Sequence, residues 1–577
     1  MTEMRFRCIG GLAVFLIILA ASKAPAADTV YLNAQMPWHE AVLDSHGLVL
    51  AWYHPEKNLG YDQFLRSDWD FMEHKVPIDT TTGVKVYLTA SMFDAVTLQG
   101  SNWQTNPAST FAHFTDTVLG WYPYSGDTES VNVVREMLDY QLAHGLTPAD
   151  WEWARVPFAT ACLHDKEYGR CIQDMPQTFY GGIETDKVGE LGLSFVEFYE
   201  LTGDRKYLEE GLNCANQLAK HVRAGDAFHT PWPFRVDARK GEIIATEEYG
   251  GMIVAPVRLF DELIRIGEGD SASYKKARDL AWQWILNNPL NKKSAAWSQW
   301  VGYYEDVPKD TIDQNDMSAM MTAYYILSHD DPASVDPGWK EDVGYLLDRT
   351  RELLGRGPFF GAWAIDEQLR PDGAQLGAAS ADSEVTVQTR GTAVLRSYGR
   401  GCCSRAGLVC RTSQWGALNS MYYEKTHDGR AREDAFRSLN YATYFIESNG
   451  KINCCGARIM PSYWFEDGYA DAGRSFVWAL GAVPEFAPIG QDHLLRSSSV
   501  VQKVDYAPQR IGYRTFDKSA TDVLRLSFKP GRVSAGNTAL ALRTDLTQDG
   551  YTLQSLSEGD YVLRIRHSAS NEILVSP

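Results

Sequence analysis

The chain has 577 residues, with 74 acidic and 55 basic side chains and a formal net charge of −19. A surface of this sign repels polyphosphates, so we expect no nucleic-acid partner. It also argues mildly against a strongly polyanionic glycan as a ligand.

The first 26 residues have the pattern of an export signal. Arg5 and Arg7 precede an apolar run, Ile9 to Ala21, and small residues follow at Ala24-Pro25-Ala26. The run is too short to cross a bilayer, and no later stretch approaches the roughly 20 apolar residues that a transmembrane helix needs. We therefore expect a signal peptide, a secreted or periplasmic protein, and no membrane partner after cleavage.

Eight cysteines follow this signal, and an oxidising compartment favours disulfides among them. They are Cys162, Cys171, Cys214, Cys402, Cys403, Cys410, Cys454 and Cys455. Their pairing is left open by the sequence. The vicinal pairs at 402–403 and 454–455 also suit a thiolate metal site, but export favours disulfides, and we expect no metal or other cofactor.

Helical periodicity dominates from about residue 125 to 481. Four segments, 198–222, 260–286, 324–354 and 422–446, share one pattern: an aromatic-rich helix ends in Gly, Asp or His-Asp, and a second amphipathic helix returns. Such αα-hairpins stack side by side, with one helix of each pair inside. The pattern predicts a closed toroid of about six hairpins.

The two helices of each pair differ in composition. The first helices, such as 187–201 and 249–266, begin with small and aromatic residues and are predicted to form the inner ring. The second helices, such as 204–222 and 338–354, carry apolar stripes among many charges and are predicted to form the outer ring.

The pattern changes to a period of two residues after residue 497. Leu524, Leu526 and Phe528 alternate with polar residues, as do Leu563 and Ile565, with turn residues between the runs. We therefore predict a C-terminal β-sandwich-like domain at 498–577, a toroid at 111–497, and a mixed N-terminal segment at 27–110 that packs on the toroid.

Junctions of the type "LTGDRKYLE" at 201–209, acid-bearing loops before inner helices and the export signal give the chain a family resemblance. Over roughly 110–490 it resembles the six-hairpin glycosidase superfamily, without matching one activity-defined family. The resemblance implies an (α/α)6 toroid that acts on carbohydrate, by hydrolysis or by lyase chemistry. It transfers no catalytic residue.

In such a toroid the loops before the inner helices line the cavity, which makes their acids candidate catalytic groups. These acids are Asp186 beside Glu184, Glu248 in a Glu-Glu pair, Asp316 three residues after Asp313, and Asp467. Carboxylates also cap helices or stabilise their dipoles, so each acid has a purely structural alternative. We expect the catalytic pair to come from Asp186, Glu248, Asp316 and Asp467.

Sugar rings stack on aromatic faces, so aromatic residues near these loops are candidate substrate contacts. They are Trp121, Tyr122, Tyr180, Trp232, Tyr249, Trp464 and Tyr469. Most of the 17 tryptophans of the chain must nevertheless be structural.

The stretch "WFEDGYADAGRSF" at 464–476 combines acids, aromatic residues and an arginine before the last inner helix. Asp467 precedes Gly468 at a turn and is the acid best placed to point into the cavity. Asp471 either pairs with Arg474 at i,i+3 or only favours the helix dipole. Glu466 is interpreted as solvent-exposed.

Glycoside hydrolysis needs two carboxyl groups, and acids that face each other across a cavity predict a wide separation and inversion. Motifs for a serine nucleophile elbow, a phosphate-binding loop and a zinc helix are absent from the sequence. One alternative is a polysaccharide lyase or uronate-modifying enzyme that uses His229 with Tyr180 or Tyr249. Another is a non-catalytic glycan-binding protein. The sugar, its linkage, endo or exo action and the oligomeric state are not indicated.

Overall fold

The structure is a computed structural model that describes residues 39–100, 107–159, 181–226, 229–244, 253–291, 316–354, 383–389, 392–398, 408–453 and 462–577. Twelve α-helices lie in these ranges. They are α1 (Gly60–Asp70), α2 (Pro107–Ser125), α3 (Thr128–His144), α4 (Thr185–Thr202), α5 (Arg205–His221), α6 (Val254–Ile266), α7 (Ser271–Asn287), α8 (Asp316–Ser328), α9 (Trp339–Leu354), α10 (Val409–Thr426), α11 (Gly429–Ala442) and α12 (Asp471–Ala482).

The helices form two concentric rings. In the inner ring α2, α4, α6, α8, α10 and α12 each contact the next helix, and α12 contacts α2 to close the ring. Outside it, α3, α5, α7, α9 and α11 each pack on the helix that precedes them in the chain, and α1 packs on α12. The described residues therefore confirm the predicted (α/α)6 toroid and the assignment of helices to its two rings.

The hairpin junctions explain the repeated Gly-Asp and His-Asp pairs. Gly203, which ends α4, has a φ of 76°, and His427, which ends α10, has a φ of 58°. This left-handed conformation stops a helix and reverses the chain. The next residue, Asp204 or Asp428, then caps the following helix by accepting a hydrogen bond from its first turn. Two residues thus make the turn between α4 and α5 and the turn between α10 and α11.

The C-terminal domain consists of two antiparallel sheets around its own apolar core. Leu524, Leu526, Leu563 and Ile565 are fully buried in that core, as their alternation predicts. The strands of this domain are β8 (His493–Ser497), β9 (Val501–Ala507), β10 (Arg510–Thr515), β11 (Ala520–Leu526), β12 (Arg532–Ala535), β13 (Thr538–Ala539), β14 (Gly550–Ser555), β15 (Tyr561–His567) and β16 (Glu572–Ser576). One sheet has the order β13-β12-β16-β10-β9 and the other has the order β14-β15-β11-β8.

Short strands occur within the toroid as well. Strand β1 (Met92–Asp94) pairs with β7 (Ser462–Trp464), and β3 (Arg235–Asp237) pairs with both β2 (Gly182–Glu184) and β4 (Glu242–Ile243). The remaining hairpin is formed by β5 (Ser383–Thr389) and β6 (Thr392–Tyr398). The first pairing joins the N-terminal segment to the stretch that leads into α12.

The β domain lies against the C-terminal ends of the inner helices. His493 stacks on Tyr124 at the end of α2, and its Nδ1 lies 2.8 Å from the Tyr124 carbonyl oxygen. Gln502 donates a hydrogen bond of 2.7 Å to the carbonyl of Glu200 at the end of α4. Arg496 donates two hydrogen bonds, of 2.6 and 2.7 Å, to the carboxylate of Glu424 on α10.

The segment that follows α12 is held by one buried arginine. Arg525 of β11 donates to the carboxylate of Asp560 and to the carbonyl oxygens of Pro484, Glu485 and Ala487. These carbonyls belong to the turn that connects the toroid to the β domain. The two parts of the chain therefore share buried polar contacts.

Cys214 and Cys410 are both buried, and the other six cysteines after the signal lie outside the described residues. Disulfide pairing therefore remains a prediction. The signal segment also lies outside these residues. Among the helices of the described ranges, none is both long and apolar enough to cross a membrane.

We expect Gly189→Ala to destabilise the protein, because a Cβ at Gly189 would lie 2.5 Å from the backbone nitrogen of Pro256, where α4 and α6 approach. Overpacking of this kind costs about 1–3 kcal/mol. Chemical denaturation measures the change in the free energy of unfolding. Gly429→Ala is the control, because a Cβ there meets no atom within 4 Å in the described structure. Equal stability of the two variants would contradict the close helix approach.

Candidate functional site

All six inner helices send polar or sulfur-containing side chains toward the centre of the ring. The residues are His113 and Asp116 from α2, Asp186, Lys187 and Glu190 from α4, Arg258 from α6, Met321 from α8, Arg411 and Gln414 from α10, and Asp471 and Arg474 from α12. Ser109 and Thr110 at the start of α2 and Glu466 before α12 join them. We call these side chains the central network.

Asp471 connects three helices within this network. One of its oxygens lies 2.7 Å from His113 Nδ1 and 2.7 Å from Arg474 Nη2, and the other lies 3.2 Å from Arg411 Nη1. Burial acts to raise the pKa of Asp471, but the charges of Arg474, His113 and Arg411 outweigh it and hold that pKa far below its usual value. Asp471 is therefore an ionised buried carboxylate, and of the two alternatives that the sequence leaves open for it, the structure shows the pairing with Arg474.

His113 is surrounded by carboxylates. Its Nε2 lies 3.8 Å from a Glu190 oxygen, and its Nδ1 lies 3.4 Å from Glu466 as well as close to Asp471. Burial and the charge of Arg474 act to lower the pKa of His113, yet Asp471 and Glu190 raise it to about 9. The imidazole is thus protonated at neutral pH and balances part of the negative charge around it.

Glu466 points inward, and its interpretation as a solvent-exposed residue is wrong. Its side chain is 19% exposed. It accepts hydrogen bonds of 2.8 Å from Ser109 and 3.0 Å from Thr110. A π-helical turn, Phe465–Ala470, precedes α12 and changes the direction in which each side chain points relative to a regular helix. Burial raises the pKa of Glu466, although the charge of His113 opposes the shift.

On α4, Lys187 lies between two carboxyl groups. Its Nζ is 3.1 Å from Asp186 and 3.4 Å from Glu190. Burial raises the pKa of Asp186 to about 7 despite the charge of Lys187. Burial also acts to raise the pKa of Glu190, but Lys187 and His113 outweigh burial and hold that pKa at about 2. Neighbouring carboxyl groups therefore differ in protonation near neutral pH.

A cavity opens beside this network. His113, Asp116, Glu190, Arg258, Met321 and Arg474 line it with small and apolar residues of α2, α4 and α6. Arg258 and Arg474 each approach Asp116 to 3.5 Å. Their guanidinium groups lie over the rings of Tyr324 and Trp478, which stack on each other. The two guanidinium groups thus form a cationic side of the cavity.

His113, Glu466 and Asp471 each offer a ligand atom, and these atoms lie within 4.8 Å of one another. Arg411 and Arg474 already neutralise Asp471, however, and burial raises the pKa of Glu466. A metal ion here would be repelled by two guanidinium groups and a protonated histidine. The charges therefore favour an ion-pair network over a metal centre.

The structure brings one predicted catalytic acid, Asp186, into the central network. Asp467 is partly buried, and its carboxylate lies within 4.8 Å of Cys410 Sγ and of Asp471. Asp316 begins α8, as the helix-entrance pattern predicts, but the description does not extend to its side chain. Glu248 lies outside the described residues. The roles of these acids stay predictions.

Three of the predicted aromatic contacts are buried among the helices of the toroid. Trp121 is buried near the end of α2 and donates to Asp127, and Tyr122 beside it is also buried. Trp232 packs on Phe260. In the described structure these rings belong to the packing between helices, which explains their burial without a ligand.

The two predicted substrate contacts in the 464–476 stretch, Trp464 and Tyr469, are also buried. Tyr469 stacks on Phe71, and its hydroxyl accepts a hydrogen bond from the backbone of Ile452. Trp464 lies in β7. Tyr180 and Tyr249 fall outside the described residues. No ring of the predicted set is therefore shown to contact the cavity.

Sequence reasoning missed His113, Lys187 and Glu190. These three residues lie within helices, whereas the candidates predicted from the sequence are acids in the loops before the inner helices. A usable signal exists, because α2 and α4 are buried along most of their length and yet carry charged side chains. A charge on a fully buried helix needs a partner on a neighbouring helix.

We expect His113→Gln to lower the melting temperature most at pH 6 and progressively less as the pH rises. The pKa of His113 is about 9 in the folded protein and about 6.5 in an unfolded chain. Its stabilising contribution is thus complete below about pH 6.5 and disappears as the pH passes about 9. Thermal unfolding between pH 6 and 10 measures this. The exposed His229→Gln serves as the control, and a pH-independent loss would contradict the raised pKa.

Comparisons with known proteins give no family assignment. No protein-family model matches the sequence, and no curated protein does. Similar solved structures include a cellobiose 2-epimerase from Spirochaeta thermophila DSM 6192, with 10% identity, a TM-score of 0.48, and coverage of 74% of this chain and 98% of that one. A D-mannose isomerase has 8% identity and a TM-score of 0.48, over 74% and 96% of the two chains. The GH76A alpha-1,6-mannanase from Salegentibacter sp. HEL1_6 has 11% identity and a TM-score of 0.40, over 74% and 99%. Scores this low assign no activity, so the toroid itself rests on the helix contacts described above.

Proposed function

We propose that the chain is an exported carbohydrate-active enzyme that hydrolyses a glycosidic bond in a poly- or oligosaccharide. The observation that carries this proposal is the pair Glu190 and Glu466 in the central network. Their pKa values are moved in opposite directions, which is the condition that an acid and a base in one site require.

The two carboxyl groups are close enough to act on one bond. Both contact the hydroxyl of Ser109, Glu190 at 3.1 Å and Glu466 at 2.8 Å, so these two oxygens lie no more than about 6 Å apart. Retaining glycosidases have separations of about 5–5.5 Å, whereas inverting ones have about 6.5–9.5 Å. A separation of no more than about 6 Å between these oxygens favours retention of configuration at the anomeric carbon. The prediction of inversion from the sequence depends on acids of different hairpins facing each other across the cavity.

The chemistry assigns one role to each group. Glu466, whose pKa is raised, protonates the leaving oxygen, and Glu190, whose pKa is about 2, is the ionised nucleophile. His113 and Lys187 act as positioning residues, because their charges keep Glu190 ionised. The Ser109 hydroxyl holds the two carboxyl groups at a fixed spacing.

A second candidate is elimination or modification of a uronic acid. Its supporting observation is the cationic side of the cavity, where Arg258 and Arg474 provide charges that can neutralise a sugar carboxylate. Incubation with neutral and acidic polysaccharides separates the two candidates. Hydrolysis releases reducing ends without unsaturation, whereas elimination leaves a conjugated product that absorbs in the ultraviolet.

We expect Glu466→Gln to lower kcat/KM by about 10²–10⁴-fold, the range lost with a general acid, and Glu190→Gln, which removes the nucleophile, to lower it at least as much. Release of reducing ends from a cleaved polysaccharide measures the rates. Proton NMR of the first product should show the anomer of the substrate, because the proposed mechanism retains configuration.

The control for these variants is Glu210→Gln. Glu210 is a buried glutamate of the outer helix α5, where it pairs with Arg155 and Asn213 away from the central network. We expect this change to affect stability and to leave kcat/KM within a few-fold of the wild-type value. Full activity of Glu466→Gln, or an inverted first product, would overturn the assignment.

A further inference from the structure

The central network and its cavity carry a charge opposite to that of the whole chain. The cations of the network are His113, Lys187, Arg258, Arg411 and Arg474, and its acids are Asp116, Asp186, Glu190, Glu466 and Asp471. Burial raises the pKa of two of these acids, Asp186 and Glu466, and so reduces their negative charge. Positive charge is therefore in excess here, in a chain whose formal net charge is −19.

Arg258 has unused hydrogen-bonding capacity that faces the cavity. A guanidinium group has five N–H donors, and in the described structure the only hydrogen bond of Arg258 goes to Asp116 at 3.5 Å. Charge-assisted hydrogen bonds are shorter, at about 2.7–2.9 Å. Glu197 also lies near Arg258, but burial raises its pKa well above the usual value, so Glu197 adds little negative charge. The Arg258 side chain is 17% exposed and lines the cavity, which leaves its N–H groups open to a ligand.

Arg474 adds a second guanidinium group to this side of the cavity. One of its terminal nitrogens lies 2.7 Å from Asp471, and the other approaches Asp116 to only 3.5 Å. Its Nε has no hydrogen-bond partner among the described residues, although the side chain is almost completely buried. A buried N–H group without an acceptor is unfavourable, so the cationic side of the cavity is short of acceptor atoms.

The rings of Tyr324 and Trp478 restrict the way in which an anion can bind. They stack on each other at 3.9 Å, and the guanidinium groups of Arg258 and Arg474 lie 5.0 and 5.2 Å from their centres. A guanidinium group carries its N–H donors in its own plane, so a ring over one face leaves the edges for a ligand. A carboxylate matches such an edge with two parallel hydrogen bonds.

The cationic side lies one helical turn deeper than the proposed nucleophile. Glu190 lies beside His113 on α2, and Asp116 follows His113 by three residues, about 4.5 Å along the helix axis. The same cavity is lined by Glu190 and Arg258. In a pyranuronic acid the anomeric carbon and the carbon that bears the carboxylate are the two neighbours of the ring oxygen. A ring with its anomeric carbon at Glu190 can therefore reach Arg258 with its carboxylate.

We propose that the cavity between Glu190 and Arg258 binds a uronic acid residue of the substrate, and that Arg258 and Arg474 select this sugar by its carboxylate. The inference rests on the hydrolysis proposed above, because it places the scissile bond of that sugar at Glu190. It names the substrate class as glycans that contain hexuronic acid. The negative charge of the whole chain argues mildly against a strongly polyanionic glycan, but the excess of positive charge in the cavity opposes that effect locally.

Isothermal titration of the mature protein with matched monosaccharides tests the proposal without turnover. The pairs are D-glucuronate and D-glucose, D-galacturonate and D-galactose, and D-mannuronate and D-mannose, which differ only at C6. We expect at least one uronate to bind about tenfold or more tightly than its neutral counterpart, because a buried charge pair is worth at least this much. The assignment is wrong if no uronate binds more tightly than its neutral counterpart, or if D-glucose 6-sulfate binds more tightly than every uronate.

Two substitutions of Arg258 separate its charge from its shape. Arg258→Gln should bring the ratio of uronate to neutral-sugar affinity close to one, whereas Arg258→Lys should keep part of it, because lysine retains the charge without the planar fork. The matched control is Arg351→Gln on the outer helix α9. Arg351 also lies over a tryptophan ring, that of Trp415, and pairs with Asp434 at 2.6 Å. We expect this control to leave the affinity ratio unchanged.

Thermal unfolding shows whether each variant is folded, and the comparison within the wild type remains decisive if Arg258→Gln is not. An unchanged affinity ratio in folded Arg258→Gln would contradict the selecting role of Arg258. The proposed function is tested separately, by release of reducing ends from polyuronates and from neutral polysaccharides. Uronate binding without release of any product supports this site and contradicts the hydrolysis. Hydrolysis together with equal binding within all three pairs supports the hydrolysis and contradicts this site.

Discussion

The buried carboxylate of Asp471 sets the condition that the rest of the toroid satisfies. An ionised group at the centre of a helix ring is tolerated only with full compensation, and Asp471 obtains it from His113 on α2, Arg411 on α10 and Arg474 on its own helix. These contacts exist only when α12 lies between α2 and α10. Closing the ring of helices therefore brings the compensating charges to Asp471. The hydrophobic contacts between helices supply the free energy that makes this closure favourable.

The same compensation prepares the chemistry. Each carboxyl group meets a different environment: the charges of Lys187 and His113 lower the pKa of Glu190, whereas burial outweighs the nearby positive charges at Glu466 and Asp186. Carboxyl groups of similar intrinsic acidity thus acquire unequal proton affinities. Rigid helices hold these groups in position, so little reorganisation is needed during a reaction.

Much of the fold could be predicted from the sequence because its signals are local. The Gly203-Asp204 and His427-Asp428 junctions identify hairpins by backbone conformation and capping alone. The role of α1 could not be predicted, because its partner α12 lies about 400 residues away and periodicity carries no pairing information. For the site, the inward position of Asp186 follows from its place at the start of an inner helix, and i,i+3 spacing gives the Asp471–Arg474 pair as one of two alternatives. The position of Glu466 depends on a π-helical turn, and His113 depends on contacts across the ring.

The β domain makes the two ends of the toroid unequal. It lies against the C-terminal ends of α2, α4 and α10, and Arg525 fixes the turn that leaves α12. The inner helices present only their N-terminal ends away from this covering. These contacts of the β domain thus lie at one end of the ring, and Ser109, Thr110 and Glu466 of the central network lie near the other. For the function proposed above, substrate access to Glu190 and Glu466 is then expected from the N-terminal side of the ring, opposite the β domain.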